Sequence, residues 1–386
     1  MQNLDDFLNS KPIYYKEFDP NRIVKAYSLI KDKIKHPKRV HLIGTNGKGS
    51  TGRTIAHLAN KSGLSVGHFS SPHILDYKER FWLNGKFANR ELLQKSHQRL
   101  FNLLGKEVAE ALSYFEYQTL LAFTLFENVD LQVIEAGLGG EYDATSVANY
   151  ELSVITPIGF DHSSFLGNSI EEIATTKLKS IAKKALIAKQ EESIVYDIAK
   201  KIANKKGAKL YFYKDLEPKY KEQIQKIAKD KGFVDYLVEN IINATLALDI
   251  LNINYDISNL KNLKLFGRFY KLMPNVIVDV GHNPLAAKAI YNALSSKVTL
   301  IFNILDDKDL SKTLQILKPK IDEVEIIKIS TQRATDLEKI EKLLSKLGLK
   351  YKYFNGKLKD NKEYLVFGSF YVVEAFLKEI GYKSID

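Results

Sequence analysis

Cysteine is absent from the 386-residue sequence. Its absence excludes disulfides, thiol catalysis and cysteine-ligated zinc or iron–sulfur sites. The sequence also lacks any apolar run near the roughly 18 residues that a membrane-spanning helix needs. Residues 1–18 show neither the basic region nor the apolar region of a secretion signal. We therefore expect a cytoplasmic protein that has no membrane partner.

Internal repeats and low-complexity segments are missing as well, and the composition is that of a folded protein. Hydrophobic residues make up 45% of the chain and charged residues 27%, which excludes wholesale disorder. The net charge of +11 could attract a polyanion such as a nucleotide, a polycarboxylate or a nucleic acid. The basic residues are scattered along predicted helices such as 221–231, however, and no aromatic–basic RNA signature interleaves with them. We expect no nucleic-acid partner.

The first two thirds of the chain alternate between short apolar runs and helical patterns. The apolar runs predict β-strands at 39–43, 65–70, 131–136, 153–158 and 185–189, and the patterns between them include helices at 50–60 and 115–127. Short strands that alternate with helices form a mostly parallel sheet with helices on both faces.

A second alternation follows residues 265–269. It predicts strands at 275–280, 298–304, 323–329 and 364–367, and helices at 285–294, 310–317, 336–347 and 371–380. This unit of about 115 residues is large enough for its own core. We therefore predict an α/β protein with a mostly parallel P-loop-type first domain at 1–264, a linker at 265–270 and a smaller, Rossmann-like second domain at 271–386.

The strongest functional signal is the glycine-rich segment GTNGKGS at 44–50, between a predicted strand and a predicted helix. Such a loop turns successive backbone N–H groups toward one point, at the positive end of a helix. Its lysine neutralises phosphate, and its hydroxyl can hold magnesium. The spacing departs from that of a strict P-loop, because a glycine separates Lys48 from Ser50. We predict a nucleotide phosphate site formed by Asn46, Gly47, Lys48, Gly49, Ser50 and Thr51.

The segment HLIGTNGKGST at 41–51 resembles the phosphate loop of the folylpolyglutamate synthases and dihydrofolate synthases, members of the Mur-ligase superfamily. Further segments match this family in the same order: SSPH at 70–73, ERFWLNG at 79–85, YFE at 114–116, EAGLGGEYDAT at 135–145, DH at 161–162, LG at 166–167, IA and a lysine within 173–177, NA at 243–244, GRF at 267–269, DVGHNP at 279–284 and DKD at 307–309. The resemblance implies an ATP-binding first domain and a glutamate-ligase second domain.

Glu135 ends an apolar strand, at the edge where parallel sheets hold their ligands, and a carboxylate suits magnesium. From the residues alone, Glu135 could equally be an ion-pair partner and His162 a histidine satisfied by loop backbone. The resemblance implies two magnesium ions, held by Ser50, Ser71, Glu135, His162 and Lys177. It implies that Lys177 is carbamylated, so that its amine becomes a carboxylate. The neighbours Thr176, Leu178 and Lys179 depart from the family's usual residues.

The resemblance assigns three further groups of residues. The positions that contact ATP outside the loop are Asn243, Arg268 and Asp279, with Arg268 on the phosphates. The segment on the pteridine side of the substrate is Tyr114, Phe115 and Glu116, although an aromatic pair at a helix start is otherwise more often core. The residues implied in catalysis are Lys48, Asp143, Lys177 and His282.

Together these assignments imply an ATP-dependent ligase that adds L-glutamate to dihydropteroate, to reduced folates or to both through an acyl phosphate. We expect a bifunctional, monomeric enzyme. The closest alternative is a Mur ligase that acts on a UDP-linked cell-wall precursor. Those enzymes usually carry a further domain before the phosphate loop, whereas 43 residues precede Gly44 here. The alternative from a different class is a nucleotide-gated binding protein.

Overall fold

The computed structural model describes residues 2–12, 19–161 and 166–384. Two β-sheets, each flanked by helices, lie one after the other along the chain, which confirms the predicted α/β class. None of the helices in these ranges is both long and apolar enough to cross a membrane.

The first sheet has eight strands in the order β4-β3-β2-β5-β1-β6-β7-β8. They are β1 Lys38–Ile43, β2 Val66–Phe69, β3 Phe81–Leu83, β4 Lys86–Phe87, β5 Leu131–Glu135, β6 Leu152–Ile155, β7 Lys184–Ile187 and β8 Lys209–Phe212. All pairs from β2 to β8 along this order are parallel, whereas β3 pairs antiparallel with both β2 and β4. The prediction of a mostly parallel sheet is confirmed.

Helices cover both faces of this sheet. Successive residues of a strand point to opposite faces, so neighbouring residues of β1 pack against different helices. The helices are α1 Leu4–Asn9, α2 Pro20–Ile30, α3 Lys48–Lys61, α4 Arg90–Leu104, α5 Lys106–Ala111, α6 Tyr114–Leu125, α7 Ile170–Leu178, α8 Ile194–Lys206, α9 Lys221–Lys231 and α10 Asp235–Ile250. In β1, Leu42 shares a core with Ile55 of α3 and Ile241 of α10. Its neighbour Ile43 shares another core with Ile173 of α7.

The second sheet has six strands in the order β13-β12-β11-β14-β10-β9. Its elements are β9 Tyr270–Met273, β10 Val276–Asp279, α11 Pro284–Ala293, β11 Val298–Phe302, α12 Leu310–Leu317, β12 Ile321–Ile326, α13 Leu337–Lys346, β13 Tyr351–Tyr353, β14 Tyr364–Phe367 and α14 Phe370–Glu379. Only β9 pairs antiparallel within these ranges. Leu300 packs with Ile290 on one face, and Ile301 packs with Phe376 on the other.

Five short strands go beyond the sequence prediction: β3, β4, β8, β9 and β13. All of them except β3, which lies next to the edge strand β4, form the edges of their sheets. An edge strand packs against one neighbour only and carries no continuous apolar run. Between the sheets, Leu265 belongs to a core of the first sheet, whereas Phe266 packs against a core of the second. The proposed linker at 265–270 spans this passage.

Candidate active site

The glycine-rich loop and Glu135 lie at the same edge of the first sheet. Strand β1 ends at Ile43, and helix α3 begins at Lys48 after the four residues 44–47. The neighbouring strand β5 ends at Glu135, which pairs in register with Leu42 of β1. Open parallel sheets bind their ligands at this carboxyl-terminal edge.

The first turn of α3 leaves a set of backbone donors unpaired. No residue in the described ranges accepts a hydrogen bond from the N–H groups of residues 47–50. The Thr51 N–H is the first to close the helix, donating to the Gly47 carbonyl at 3.0 Å. Successive unpaired N–H groups at the positive end of a helix bind anions such as phosphate.

Two glycines make this loop conformation accessible. Gly44 has a φ of +153° and Gly47 a φ of +88°. A Cβ on Gly44 would lie 2.1 Å from Thr156 Oγ1, and one on Gly47 would lie 2.6 Å from Asn240 Oδ1. Any larger residue would therefore clash with its neighbour and strain the backbone.

Lys48 and Glu135 face each other beside the loop. Lys48 Nζ donates to the Gly44 carbonyl at 3.1 Å and lies 3.9 Å from Glu135 Oε1. Glu135 is 4% exposed, and burial raises the pKa of its carboxyl, although Lys48 and Arg268 act against this shift. A backbone hydrogen bond from Ser71 also reaches this carboxylate. A buried acid of this kind is stabilised when a cation binds.

Arg268 reaches the loop from the passage between the two sheets. Its Nη1 donates to the Gly267 carbonyl at 3.0 Å, and its guanidinium lies 5.2 Å from the centre of the Phe370 ring. A Cβ on Gly49 would lie 3.2 Å from its Nη2. These groups open into a cleft of about 570 Å³, which at the loop end is lined by Gly49, Ser50, Ser71, Glu135 and Arg268.

Helix α10 supports the loop through Asn240. Asn240 Nδ2 donates to Ser50 Oγ at 2.8 Å, and Ser50 Oγ donates to the Gly47 carbonyl at 3.1 Å. One turn further, Asn243 is buried, and neither its Oδ1 nor Thr51 Oγ1 has a partner within the described part of the chain. Sequence reasoning missed Asn240, because no local pattern distinguishes it from other polar residues of a helix.

Lys177 of α7 is buried beneath the loop. It is 4% exposed, and its Nζ donates to the Gly44 carbonyl at 3.2 Å. Burial, together with the charge of Lys48, lowers the pKa of Lys177 to about 7, although Asp161 and Asp143 act in the opposite direction. A fraction of this amine is therefore neutral near physiological pH.

Asp143 holds the loop that follows β5. Its Oδ1 accepts from the Thr145 N–H at 3.0 Å and from the Thr145 hydroxyl at 2.6 Å. Its Oδ2 accepts from the Leu138 N–H at 2.7 Å. Burial raises the pKa of this carboxyl, and the hydrogen bonds oppose the shift. The predicted role toward the incoming amine stays a prediction.

Asp279 lies at the end of β10, in the second sheet, and is buried. Its Oδ2 accepts from the Tyr236 hydroxyl at 2.6 Å and from the Phe269 N–H at 2.7 Å. Burial raises the pKa of the Asp279 carboxyl. The Asp279 carboxylate thus contacts Phe269, the residue that directly follows Arg268.

His282 joins a polar cluster that links the two sheets. Its Nδ1 contacts the Val280 carbonyl at 3.0 Å, and its Nε2 lies 3.4 Å from Asp161 Oδ2. Asp161 also forms an ion pair with Lys308, a buried side chain from the segment before α12. Asn283 Nδ2 donates to Asp161 Oδ2 at 3.3 Å.

The amide of Asn283 also meets the amide of Asn46, with their nitrogen and oxygen atoms 3.0 Å apart. The structure therefore brings Asn46 of the phosphate loop to the motif DVGHNP. Sequence reasoning named Asn46, and it named His282 together with Asn283 through the motif DVGHNP. It missed Lys308, although this lysine occurs in the segment DKD of the family resemblance.

The substrate segment begins helix α6. The Arg80 guanidinium lies 5.3 Å from the centre of the Tyr114 ring, and burial raises the pKa of the Tyr114 hydroxyl. The Phe115 ring stacks on Phe69 at 5.9 Å. Glu116 caps α6 and accepts from Arg22 Nε at 2.9 Å. Tyr114 and Phe115 stay candidates for the substrate, whereas the Glu116 carboxylate already has partners inside the protein.

Of the predicted magnesium ligands, His162 lies outside the described residues. The other predicted ligands lie within them. Within the described ranges, no group of three or more histidine and acidic side chains suffices for a metal ion. Glu135 and the hydroxyl of Ser50 nevertheless stand beside the unpaired N–H groups of the loop. Oxygen donors next to nucleotide phosphates are what magnesium prefers, so the residues present fit this ion.

No protein-family model matches the chain. The chain does match curated relatives and solved structures. A dihydrofolate synthase/folylpolyglutamate synthase of Haemophilus influenzae is 30% identical over 385 residues, and one of Buchnera aphidicola subsp. Schizaphis graminum is 32% identical over 371 residues; each match covers 86% of both chains. The crystal structure of Helicobacter pylori folylpolyglutamate synthetase is 40% identical, has a TM-score of 0.79 and covers 98% of this chain and 97% of that one.

Two further solved structures contain ligands. FolC of Escherichia coli in complex with DHPP and ADP is 26% identical and has a TM-score of 0.82. The bifunctional enzyme of Yersinia pestis, complexed with AMPPNP and a Mn ion, is 25% identical with the same TM-score of 0.82. Both matches cover 98% of this chain and 98% of the other. The chain therefore belongs to the dihydrofolate synthase/folylpolyglutamate synthase family and is an ADP-forming ligase.

Proposed function

We propose that this protein uses ATP to ligate L-glutamate to dihydropteroate, to reduced folates or to both. The observation that carries the proposal is the set of unpaired N–H groups at 47–50, with Lys48, Glu135 and Arg268 around them. This arrangement suits the phosphates of a nucleotide. The DHPP and ADP in the complex of Escherichia coli FolC support the same substrate classes.

An amide forms in water only after the carboxylate has been activated. The carboxylate oxygen attacks the γ-phosphorus of ATP, the bond to the β-phosphate oxygen breaks, and an acyl phosphate and ADP result. The neutral amine of glutamate then attacks the acyl carbon, loses a proton, and phosphate leaves with the electrons of the acyl–oxygen bond. Negative charge gathers first on the transferred phosphoryl group and then on the acyl oxygen, so positioned cations stabilise both steps.

Three side chains supply charge in this scheme. Lys48 bridges the β- and γ-phosphates, and Arg268 contacts the phosphates from the interdomain passage, where its Nη2 already approaches Gly49. His282 faces the transferred phosphoryl group from the second sheet. Asp143 assists the incoming amine, provided that one of its oxygens is released from the loop hydrogen bonds.

Ser50, Ser71, Glu135 and His162 would hold magnesium, whose charge screens the phosphates when it is bound. The Mn ion in the Yersinia pestis complex supports a divalent cation at such a site. On the nucleoside side, we assign Asn243, whose buried Oδ1 lacks a partner in the described ranges, together with Asp279.

Lys177 is proposed to be carbamylated. Carbon dioxide adds only to a neutral amine, and an exposed lysine with a pKa of about 10.4 is almost wholly protonated at neutral pH. Burial lowers the pKa of Lys177 to about 7, which makes the neutral amine available. The carbamate would then be the carboxylate that reaches a second magnesium ion.

The function is tested with the purified protein, ATP, Mg²⁺ and a panel of acceptor acids. We expect ADP release that needs both L-glutamate and either dihydropteroate or tetrahydrofolate, and mass spectrometry should show the added glutamate. ADP release with a UDP-muramyl acceptor but with neither pteridine acid would contradict the proposal. Size-exclusion chromatography tests the expected monomer.

A further inference from the structure

The cleft at the phosphate loop continues along helix α3 as a groove. Its floor is α3, one wall is the hairpin of β3 and β4, and the other wall is the segment 262–266. At the far end, a Cβ on Gly85 of the hairpin would lie 3.6 Å from Asn60 Oδ1 of α3. We call the part beyond the loop the α3 groove; it is lined by Arg53, His57, Lys61, His68, Trp82, Lys86, Phe87 and Lys264.

The charge of the α3 groove has one sign. Its cations are Arg53, Lys61, Lys86 and Lys264, and in the described part of the chain none of them has a carboxylate at ion-pair distance. Two acids line the wider cleft, and both are engaged. Glu79 accepts three backbone N–H bonds at 2.7 Å, and Glu135 faces Lys48. A cleft lined by charges of one sign concentrates its field on ligands of the opposite sign.

Two groups in the groove lack a polar partner. The Arg53 guanidinium lies 5.0 Å from the centre of the Trp82 ring and 5.5 Å from the centre of the Phe87 ring. Among the described residues, none accepts a hydrogen bond from this guanidinium. His68 is 1% exposed, and neither of its ring nitrogens has a partner among the described residues. Buried polar groups are normally satisfied, so the buried ring of His68 indicates a ligand that supplies the missing contacts. Arg53 is half-buried, and its guanidinium is available to the same ligand.

The spacing of the cations points to an extended ligand. From Gly49 to Lys61, α3 makes about three turns, roughly 18 Å at 1.5 Å per residue. A nucleotide held by the N–H groups at 47–50 occupies the near end of this length. Lys61 and Lys86 lie at the other end, so a ligand that meets them together with Arg53 must carry several negative charges along a chain.

We propose that the α3 groove binds the carboxylates of a γ-glutamyl chain, the tail of an acceptor or product that already carries several glutamates. The proposal rests on the proposed function, because glutamate ligation is what creates such a chain. Each γ-linked residue carries one free α-carboxylate, so the chain presents charges at regular intervals to the cations of the groove. Arg53, which lies over the rings of Trp82 and Phe87, offers a planar fork that suits a carboxylate.

Direct binding is tested with tri-γ-glutamate, a peptide without a chromophore. Trp82 is the only tryptophan of the sequence, so intrinsic fluorescence reports on the groove. We expect a saturable fluorescence change, and a binding constant about 10-fold weaker in the double variant Lys61→Glu/Lys86→Glu, because reversing two exposed charges removes two weak attractions and adds repulsion. The control Lys201→Glu/Lys205→Glu changes net charge equally on α8 and should bind like wild type. Absence of saturable binding to wild type by both fluorescence and calorimetry would overturn the proposal.

Kinetics separates this proposal from the proposed function. With Lys61→Glu/Lys86→Glu, the KM for a tetrahydrofolate that carries three glutamates should rise about 10-fold, while the KM values for dihydropteroate and ATP stay unchanged. A similar rise in the KM for ATP would assign the groove to the nucleotide and overturn the proposal, as would an equal rise for acceptors of every tail length. If wild type ligates glutamate to no acid, the proposed function fails instead, whatever the peptide binding shows.

Discussion

The Asp279 carboxylate holds the backbone of Phe269, whose N–H donates to Asp279 Oδ2 at 2.7 Å. Phe269 has a φ of +44°, a left-handed conformation that is rare for a bulky residue. The same carboxylate accepts from the Tyr236 hydroxyl at 2.6 Å and from the Gly281 N–H at 2.7 Å. An acid of the second sheet therefore orients the turn next to Arg268, and with it the direction in which this arginine faces the phosphate loop.

Asp279→Ala should lower both stability and turnover. The change leaves the Tyr236 hydroxyl and two N–H groups without their acceptor in a buried region, so we expect the free energy of unfolding to fall by about 2–4 kcal/mol. Urea unfolding measures this, and Tyr236→Phe, which removes one of the three hydrogen bonds, should cost less. An unchanged unfolding midpoint in Asp279→Ala would show that the carboxylate does not hold this turn.

Arg268→Ala should reduce kcat about 100-fold, because it removes a cation that acts on the developing phosphoryl charge. The melting temperature should stay within a few degrees of wild type, since the guanidinium lies over Phe370 rather than inside a core. Phe370→Leu keeps the charge and serves as the control for the stacking contact. Lower stability together with normal turnover would make Arg268 a structural residue.

Lys48→Ala should cost about 100-fold or more in kcat, the usual scale for losing a group that stabilises transition-state charge. Steady-state kinetics at saturating ATP measures the effect. The exposed change Lys201→Ala removes the same charge on α8 and should leave kcat unaltered. A loss of only a few-fold in Lys48→Ala would contradict the role assigned to this lysine.

Lys177→Ala should be inactive and partly restored by small carboxylic acids, which can occupy the space of the missing carbamate. Lys177→Arg keeps a positive charge but cannot form a carbamate, so it should stay inactive with or without these acids. Native mass spectrometry of wild type in bicarbonate buffer should show the carbon dioxide adduct. Near-normal activity of the arginine variant would refute the modification.

The buried amine of Lys177 also makes stability depend on pH. Burial lowers the pKa of Lys177 from 10.5 to about 7, so between these values the unfolded chain binds more protons than the folded protein, and stability rises with pH. Below pH 7 the Lys177 amine is protonated in both the folded and the unfolded state, so folding carries the full free-energy cost of burying its charge. Lys177→Met should therefore be more stable than wild type at pH 6, and the difference should shrink toward pH 10.

This experiment uses urea unfolding in buffers free of bicarbonate and divalent cations, so that neither carbamate nor metal contributes. Lys201→Met replaces an exposed lysine of α8 and should show no such pH-dependent difference. A constant offset between Lys177→Met and wild type across this pH range would mean that the amine titrates normally in the folded protein.

Much of the fold follows from patterns among residues that lie close together in the sequence. The runs that become β1, β5, β6, β11 and β14 are rich in apolar residues and almost wholly buried, because these strands lie inside their sheets. The phosphate loop is equally local: three glycines, a lysine and a serine within seven residues predict a strand-to-helix anion site, which the unpaired N–H groups at 47–50 match. The edge strands carry no comparable pattern, since solvent replaces one neighbour.

The partners of the site residues depended on packing between distant parts of the chain. Asn240 and Ser50 are 190 positions apart, and Asp161 and Lys308 are 147 apart, yet each pair is in contact. A hydrogen bond requires a donor and an acceptor within about 3 Å of each other. The separation of two residues along the chain does not tell whether they come that close in the fold. For the same reason, residue type identified Lys177 only as a lysine of a helix. Its burial beneath Gly44, which lowers its pKa, arises only when α7 packs against the loop.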